Sequence, residues 1–125
     1  PGQGKRVLVV DDTRLMRHVV GKICVRNGCE VIEAENGIVA LALAIKTLPD
    51  LIVMDVMMPK MNGMEALKEM RAREELAFTP VVMLTAEKDI ETIQTILSVG
   101  VADYILKEDG AEVERRLTNY LKLIS

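Results

Sequence analysis

The sequence predicts an α/β domain built on a parallel sheet with helices on both faces. Five short apolar runs are each followed by a segment whose apolar residues recur at helical spacing. The runs are unbroken rather than alternating, as in strands covered on both sides. Gly, Asn and Pro punctuate the joints. Strict strand–helix alternation implies right-handed crossovers within one sheet.

Lys5 to Val10 is short, apolar after its basic start and β-branched, which predicts the first strand. From Thr13 to Asn27, Leu15, Met16, Val19, Val20, Ile23 and Cys24 fall on one helical face, and Asn27-Gly28 supplies the stop. Glu30 to Ala34 and Gly37 to Thr47 repeat the unit, as do Leu51 to Asp55 and Gly63 to Glu74. After Thr79-Pro80, Val81 to Leu84 forms the fourth strand, and Ile90, Ile93, Ile96 and Leu97 mark the fourth helix. Ala102 to Leu106 is the fifth strand. Val113, Leu117, Tyr120, Leu121 and Ile124 outline a final amphipathic helix. The pattern fills residues 1–125 as one domain, and Pro1 in place of an initiator Met fits either Met removal or a domain cut from a longer protein.

A chain of 125 residues buries roughly two-thirds of its unfolded surface, so neither disulfides nor a structural metal is needed. A net charge of −3 with interspersed signs provides no basic face for nucleic acid. The apolar stretch around Ile38 to Ile45 is far too short for a bilayer span and the N-terminus lacks a signal pattern, so a soluble cytoplasmic protein is expected. Cys24 and Cys29, with His18 the only histidine, are too few for a zinc site and are expected as reduced, at least half-buried thiols. Only Phe78, Tyr104 and Tyr120 are aromatic, so an exposed one would stand out.

The ends of the runs carry the chemistry. Asp11 and Asp12 close the first, Asp55 the third, Thr85 the fourth and Lys107 the fifth. In open parallel sheets, ligands bind at the carboxyl ends of the strands. Three converging carboxylates repel one another unless a cation sits among them, and hard oxygen donors suit Mg²⁺, with Mn²⁺ able to replace it. A lone helix cap explains Asp12 but not its neighbour. Asp55 is placed either to attack a phosphorus centre, giving a labile acyl phosphate, or to serve only as a third metal ligand. Thr85 and Lys107 are poor metal ligands but good donors to phosphoryl oxygens, and Ala86 is small enough to let backbone N–H groups approach the same oxygens. Taken singly, Thr85 could be a helix cap and Lys107 a solvated strand end.

The stretches VVDDTRLMR (Val9 to Arg17), MDVMMPKMNG (Met54 to Gly63), VVMLTA (Val81 to Ala86) and YILK (Tyr104 to Lys107) together resemble the receiver domain of bacterial two-component response regulators. The resemblance spans essentially the whole chain. It implies a flavodoxin-like fold with strand order 2-1-3-4-5, the order of the chemotaxis response regulator. It further implies that Asp55 is the phosphoacceptor. Asp12, Asp55 and the Met57 backbone carbonyl would ligate Mg²⁺ directly, with Asp11 acting through water. Thr85, Ala86 and Lys107 would bind the phosphoryl group, and Thr85 with Tyr104 would form the switch that alters the surface of the fourth helix, fifth strand and fifth helix. The implied partners are a sensor histidine kinase or histidine phosphotransfer protein upstream, and a downstream protein or fused output domain. Such a protein is a phosphoacceptor switch rather than an enzyme.

Two departures from the family pattern stand out. Glu108 follows Lys107 where the family usually has a cis Pro; a cis bond without Pro costs about 3 kcal/mol, so a trans peptide and a re-routed loop are expected. Met57 and Glu87 occupy the positions that, by the resemblance, face the water attacking the acyl phosphate, and an apolar Met57 is not expected to orient it. Five of the eight methionines lie between Met54 and Met64 and are expected as core and loop filler, since thioethers are too soft for Mg²⁺. His18 is expected as an ordinary helix residue. A haloacid-dehalogenase-type enzyme would need an Asp-x-Asp element and a cap insertion, and a flavodoxin-like cofactor carrier a Gly- and hydroxyl-rich phosphate loop; both are absent. The remaining alternative is a receiver-like interaction module that is not phosphorylated.

Overall fold

A computed structural model describes residues 4–124 of the chain; Pro1 lies outside the described residues. Five strands, β1 (Arg6–Val10), β2 (Glu30–Ala34), β3 (Leu51–Met54), β4 (Val81–Thr85) and β5 (Asp103–Leu106), alternate with α1 (Arg14–Arg26), α2 (Gly37–Thr47), α3 (Gly63–Arg71), α4 (Ile90–Val99) and α5 (Gly110–Ile124). All pairings are parallel and the order is β2-β1-β3-β4-β5. This is the doubly wound order expected from the motifs.

The unbroken apolar runs arise because successive side chains point to opposite faces and both faces are covered. Leu8, Val10, Ile52, Met54, Val81 and Met83 pack with Ala40 and Ala44 of α2, Ala66, Leu67 and Met70 of α3, and Ile96 of α4. Val7, Val9, Leu51, Val53, Val82 and Leu84 pack with Val20, Ile23 and Cys24 of α1 and with Val113, Leu117 and Leu121 of α5. Cys24 and Cys29 are buried free thiols, and His18 is exposed.

Most boundaries fall within a residue or two of the sequence reading, because the residues taken as first or last helical are the caps: Thr13 and Asn27 flank α1. The larger difference is α3, expected to run to Glu74 but ending at Arg71, followed by a 3₁₀ turn at Glu74–Leu76. Arg71 donates from Nε to the Gly100 carbonyl and from Nη1 to that of Leu76, at 3.1 and 3.0 Å. The chain thereby turns back and drops Leu76 fully into the core. Phe78, 96% exposed, does stand out among the aromatics; it precedes β4, at the amino end of the sheet and away from the strand-end cluster.

Candidate functional site

Register brings the strand ends together. Val10 pairs with Met54 and Met54 with Met83, while Thr85 pairs with Leu106. Asp11, Asp55 and Lys107, each one residue beyond its strand, are therefore carried to the same edge as Thr85. The Asp55 amide donates to the Val10 carbonyl at 2.9 Å and the Lys107 amide to the Thr85 carbonyl at 2.9 Å, extending the ladder into the site.

Asp11 and Asp55 are each 4% exposed, whereas Asp12 is exposed. Each buried carboxylate uses one oxygen locally. Asp11 Oδ1 accepts from the amide and hydroxyl of Thr13 at 2.9 and 3.0 Å. Asp55 Oδ1 accepts from the Met57 amide at 3.2 Å. The second oxygen of each faces Lys107, whose Nζ lies 2.8 Å from Asp11 Oδ2 and 2.7 Å from Asp55 Oδ2. Burial alone would lower the Lys107 pKa, but hydrogen bonds and charge from both aspartates outweigh it and raise the pKa, so the side chain is a firm cation at neutral pH. Lys107 thus points into the site, and no cis peptide occurs among the described residues, as expected where Glu108 replaces Pro.

One oxygen each from Asp11, Asp12 and Asp55 fall within 4.8 Å of one another. Three hard carboxylate donors, one of them open to solvent, match the donor set Mg²⁺ or Mn²⁺ takes while keeping several waters. The simple capping readings fall away. Thr13 flanks α1 without a side-chain cap and the local turn belongs to Asp11, not Asp12. Thr85 Oγ1 accepts from the Glu87 amide at 3.2 Å, while Asp89 caps α4 through Thr92. Thr85 is fully buried and Ala86 exposed beside it.

Tyr104 is half-buried, with its hydroxyl donating to the Glu87 carbonyl at 2.7 Å. Burial first, then the charges of Glu87, Asp55 and Asp89, push its pKa up to about 12, so it stays a neutral donor. Thr85 and Tyr104 are thereby joined through one residue, Glu87. Of the methionines between Met54 and Met64, Met54 is core and Met58, Met61 and Met64 pack against it, but Met57 is 59% exposed and is not packing filler.

Several contributors were not visible in sequence. Arg17 donates to the Asp11 carbonyl at 2.7 Å and pairs with Glu33 at 2.9 Å, fixing the β1–α1 loop from behind. Lys88 pairs with Glu108 at 2.8 Å, tying together the loops that follow β4 and β5. Gly63 is a packing requirement: a Cβ there would lie 2.1 Å from the Asp55 carbonyl oxygen. Asn62 caps α3 in a reciprocal capping box with Glu65, which holds the helix start against Asp55. Asn62-Gly63 signals a turn in the sequence, but not this contact.

Residues 7–118 match the family described as the response regulator receiver domain. The chain is 43% identical over 113 residues to a protein-glutamate methylesterase/protein-glutamine glutaminase of Archaeoglobus fulgidus, covering 87% of this chain and 31% of that protein. It is 38% identical over 108 residues to the chemotaxis protein CheY of Bacillus subtilis, covering 86% and 88%. Among solved structures, the Vibrio cholerae chemotaxis response regulator CheY4 superposes with a TM-score of 0.84 at 35% identity, covering 97% of this chain and 98% of that one. The chain spans half or less of the length of several other curated relatives it matches. No helix among the described residues is long and apolar enough to cross a membrane.

Proposed function

Because this chain belongs to the response regulator receiver domain family, we propose that it is a phosphorylation-activated signalling switch whose phosphoacceptor is Asp55. The observation that carries this reading is Lys107 Nζ lying within 2.8 Å of both Asp11 and Asp55, beside a fully buried Thr85. The phosphodonor is a sensor histidine kinase or histidine phosphotransfer protein, the setting is the cytoplasm, and the output is a downstream protein or a fused domain.

In the transfer, an Asp55 oxygen bonds to phosphorus as the donor's leaving group departs with its electron pair. Asp12, Asp55 and the Met57 carbonyl would hold Mg²⁺ directly and Asp11 would support it through water, a set that includes the three grouped carboxylates; the ion would supply positive charge to offset that of the phosphoryl oxygens. Lys107 supplies a fixed cation to the same oxygens. Thr85 Oγ1 already accepts a hydrogen bond from Glu87, so its own proton is free to donate to the phosphoryl group. Movement of Thr85 toward that group pulls on Glu87, whose carbonyl holds the Tyr104 hydroxyl. Repacking of Tyr104 then changes the α4–β5–α5 surface that a partner recognises.

Beryllofluoride, a phosphoryl mimic, is expected to raise the thermal midpoint of the protein only when Mg²⁺ is also present, and not in Asp55→Asn. No response, with another receiver domain responding alongside, would favour an interaction module that is not phosphorylated. Dephosphorylation is expected to be slow, because Met57 offers no polar group to the attacking water. Met57→Asn should lose phosphate faster than the parent, by about tenfold, below the roughly hundredfold a full general base provides. Equal rates of phosphate release would refute the role given to Met57.

A further inference from the structure

Met57 is the one strongly exposed methionine among the described residues, at 59% exposure. Met54, Met70 and Met83 are wholly buried, and Met16, Met58, Met61 and Met64 are partly covered. The two thiols offer little competition for an oxidant: Cys24 and Cys29 are buried. Burial, chiefly, pushes the Cys24 pKa up to about 12 and raises that of Cys29, which keeps both as unreactive thiols. The backbone of this exposed residue adjoins the reacting carboxylate, since the Met57 amide donates to Asp55 Oδ1 at 3.2 Å.

We propose that Met57 is a site of reversible oxidation to the sulfoxide by hydroperoxides, and that the oxidised protein sheds the phosphoryl group from Asp55 faster. The inference rests on Asp55 being the phosphoacceptor. In the oxidation, a sulfur lone pair attacks the terminal peroxide oxygen. An S–O bond forms, the O–O bond breaks, and the leaving oxygen departs as water, or as an alcohol from an organic peroxide. Sulfur is oxidised and the peroxide reduced, and a thiol-dependent reductase reverses the change.

The effect on the acyl phosphate follows from hydrogen-bonding capacity. A thioether is a weak acceptor, whereas a sulfoxide oxygen is a strong, compact one. Water attacking phosphorus must point its lone pair at the phosphoryl group and a hydrogen elsewhere. An acceptor on the side chain two residues beyond Asp55, facing solvent, gives that hydrogen a partner. Hydrolysis then returns the Asp55 carboxylate and inorganic phosphate. Peroxide exposure would thus shorten the signal without altering the fold, since the modified side chain is outside the core.

The test uses the whole chain, with hydrogen peroxide as oxidant. Peptide mass mapping after mild treatment should show Met57 oxidised well before the other methionines. The protein is then phosphorylated with acetyl phosphate and Mg²⁺, and phosphate release is followed. Oxidised protein should release phosphate about tenfold faster, and methionine sulfoxide reductases should restore the original rate. The rate in Met57→Leu, whatever its starting value, should not respond to peroxide. Oxidation spread evenly over the methionines, or complete oxidation of Met57 with an unchanged rate, would overturn the proposal. If no acyl phosphate formed before or after treatment, the phosphoacceptor reading would fall and this inference with it; the oxidation map, read without phosphate, separates the two failures.

Discussion

Gly63→Ala is expected to disable the site from a position that carries no functional group. The added Cβ would lie 2.1 Å from the Asp55 carbonyl oxygen and 2.9 Å from the Val56 Cα, both backbone atoms that cannot rotate away. Either α3 retreats or the segment after β3 is pushed out. Overpacking of this kind costs about 1–3 kcal/mol, and the better helix propensity of Ala recovers less than about 1 kcal/mol at a first-turn position. A net loss of about 2 kcal/mol in chemical denaturation is expected. The larger effect is on chemistry, because the displaced carbonyl belongs to the phosphoacceptor itself. A misplacement of about 1 Å costs on the order of a hundredfold in rate, so phosphoryl incorporation should fall by roughly that factor. A variant of parental stability and rate would show that the close approach is dispensable.

Lys107→Met is expected to move stability and metal affinity in opposite directions. Without Mg²⁺ the substitution leaves Asp11 and Asp55, each 4% exposed, facing one another with no cation. Breaking a fully buried pair costs about 3–5 kcal/mol; here the lysine side chain keeps 19% exposure and water reaches the site beside Asp12, so about 2 kcal/mol is expected. The lysine pKa is raised in the folded state. Its stabilisation in the parent is therefore fully present below the unfolded lysine pKa and is lost only as pH rises through the higher folded value. At neutral pH, variant and parent should differ by the full amount. Adding Mg²⁺ should narrow the gap. Removing a positive charge a few ångströms away is worth about 1–2 kcal/mol, which makes Mg²⁺ bind about tenfold tighter to the variant. Beryllofluoride should nevertheless no longer stabilise the variant, because the cation that meets the phosphoryl oxygens is gone. Weaker Mg²⁺ binding would mean that Lys107 helps to assemble the acidic cluster rather than compete with the ion.

These two residues mark the limits of what the sequence discloses. Strands covered on both faces appear as unbroken apolar runs, so the polar residue ending each run is conspicuous, and the sequence alone assigns Asp11, Asp55, Thr85 and Lys107 to one sheet edge. The strand order came from the motif resemblance, because alternation alone does not say which strands are neighbours. Contacts that depend on how loops from different strands meet were out of reach. The double engagement of Lys107, the Arg17 bond to the Asp11 carbonyl and the Gly63 approach each join residues far apart in the chain. The early end of α3 was hidden for a related reason. No Gly or Pro interrupts the sequence between Gly63 and Glu74, but Arg71 finds backbone acceptors outside the helix that only tertiary structure provides.

Asp55, and no other carboxylate, is expected to take a phosphoryl group in the presence of Mg²⁺. Incubation with acetyl phosphate and Mg²⁺, followed by borohydride, converts an acyl phosphate to the corresponding alcohol and leaves a permanent mark for peptide mass mapping. Homoserine is expected at position 55 alone, dependent on Mg²⁺ and absent from a sample denatured before exposure. A mark on Asp11 or Asp12, or none at all while another receiver domain is labelled in parallel, would contradict it.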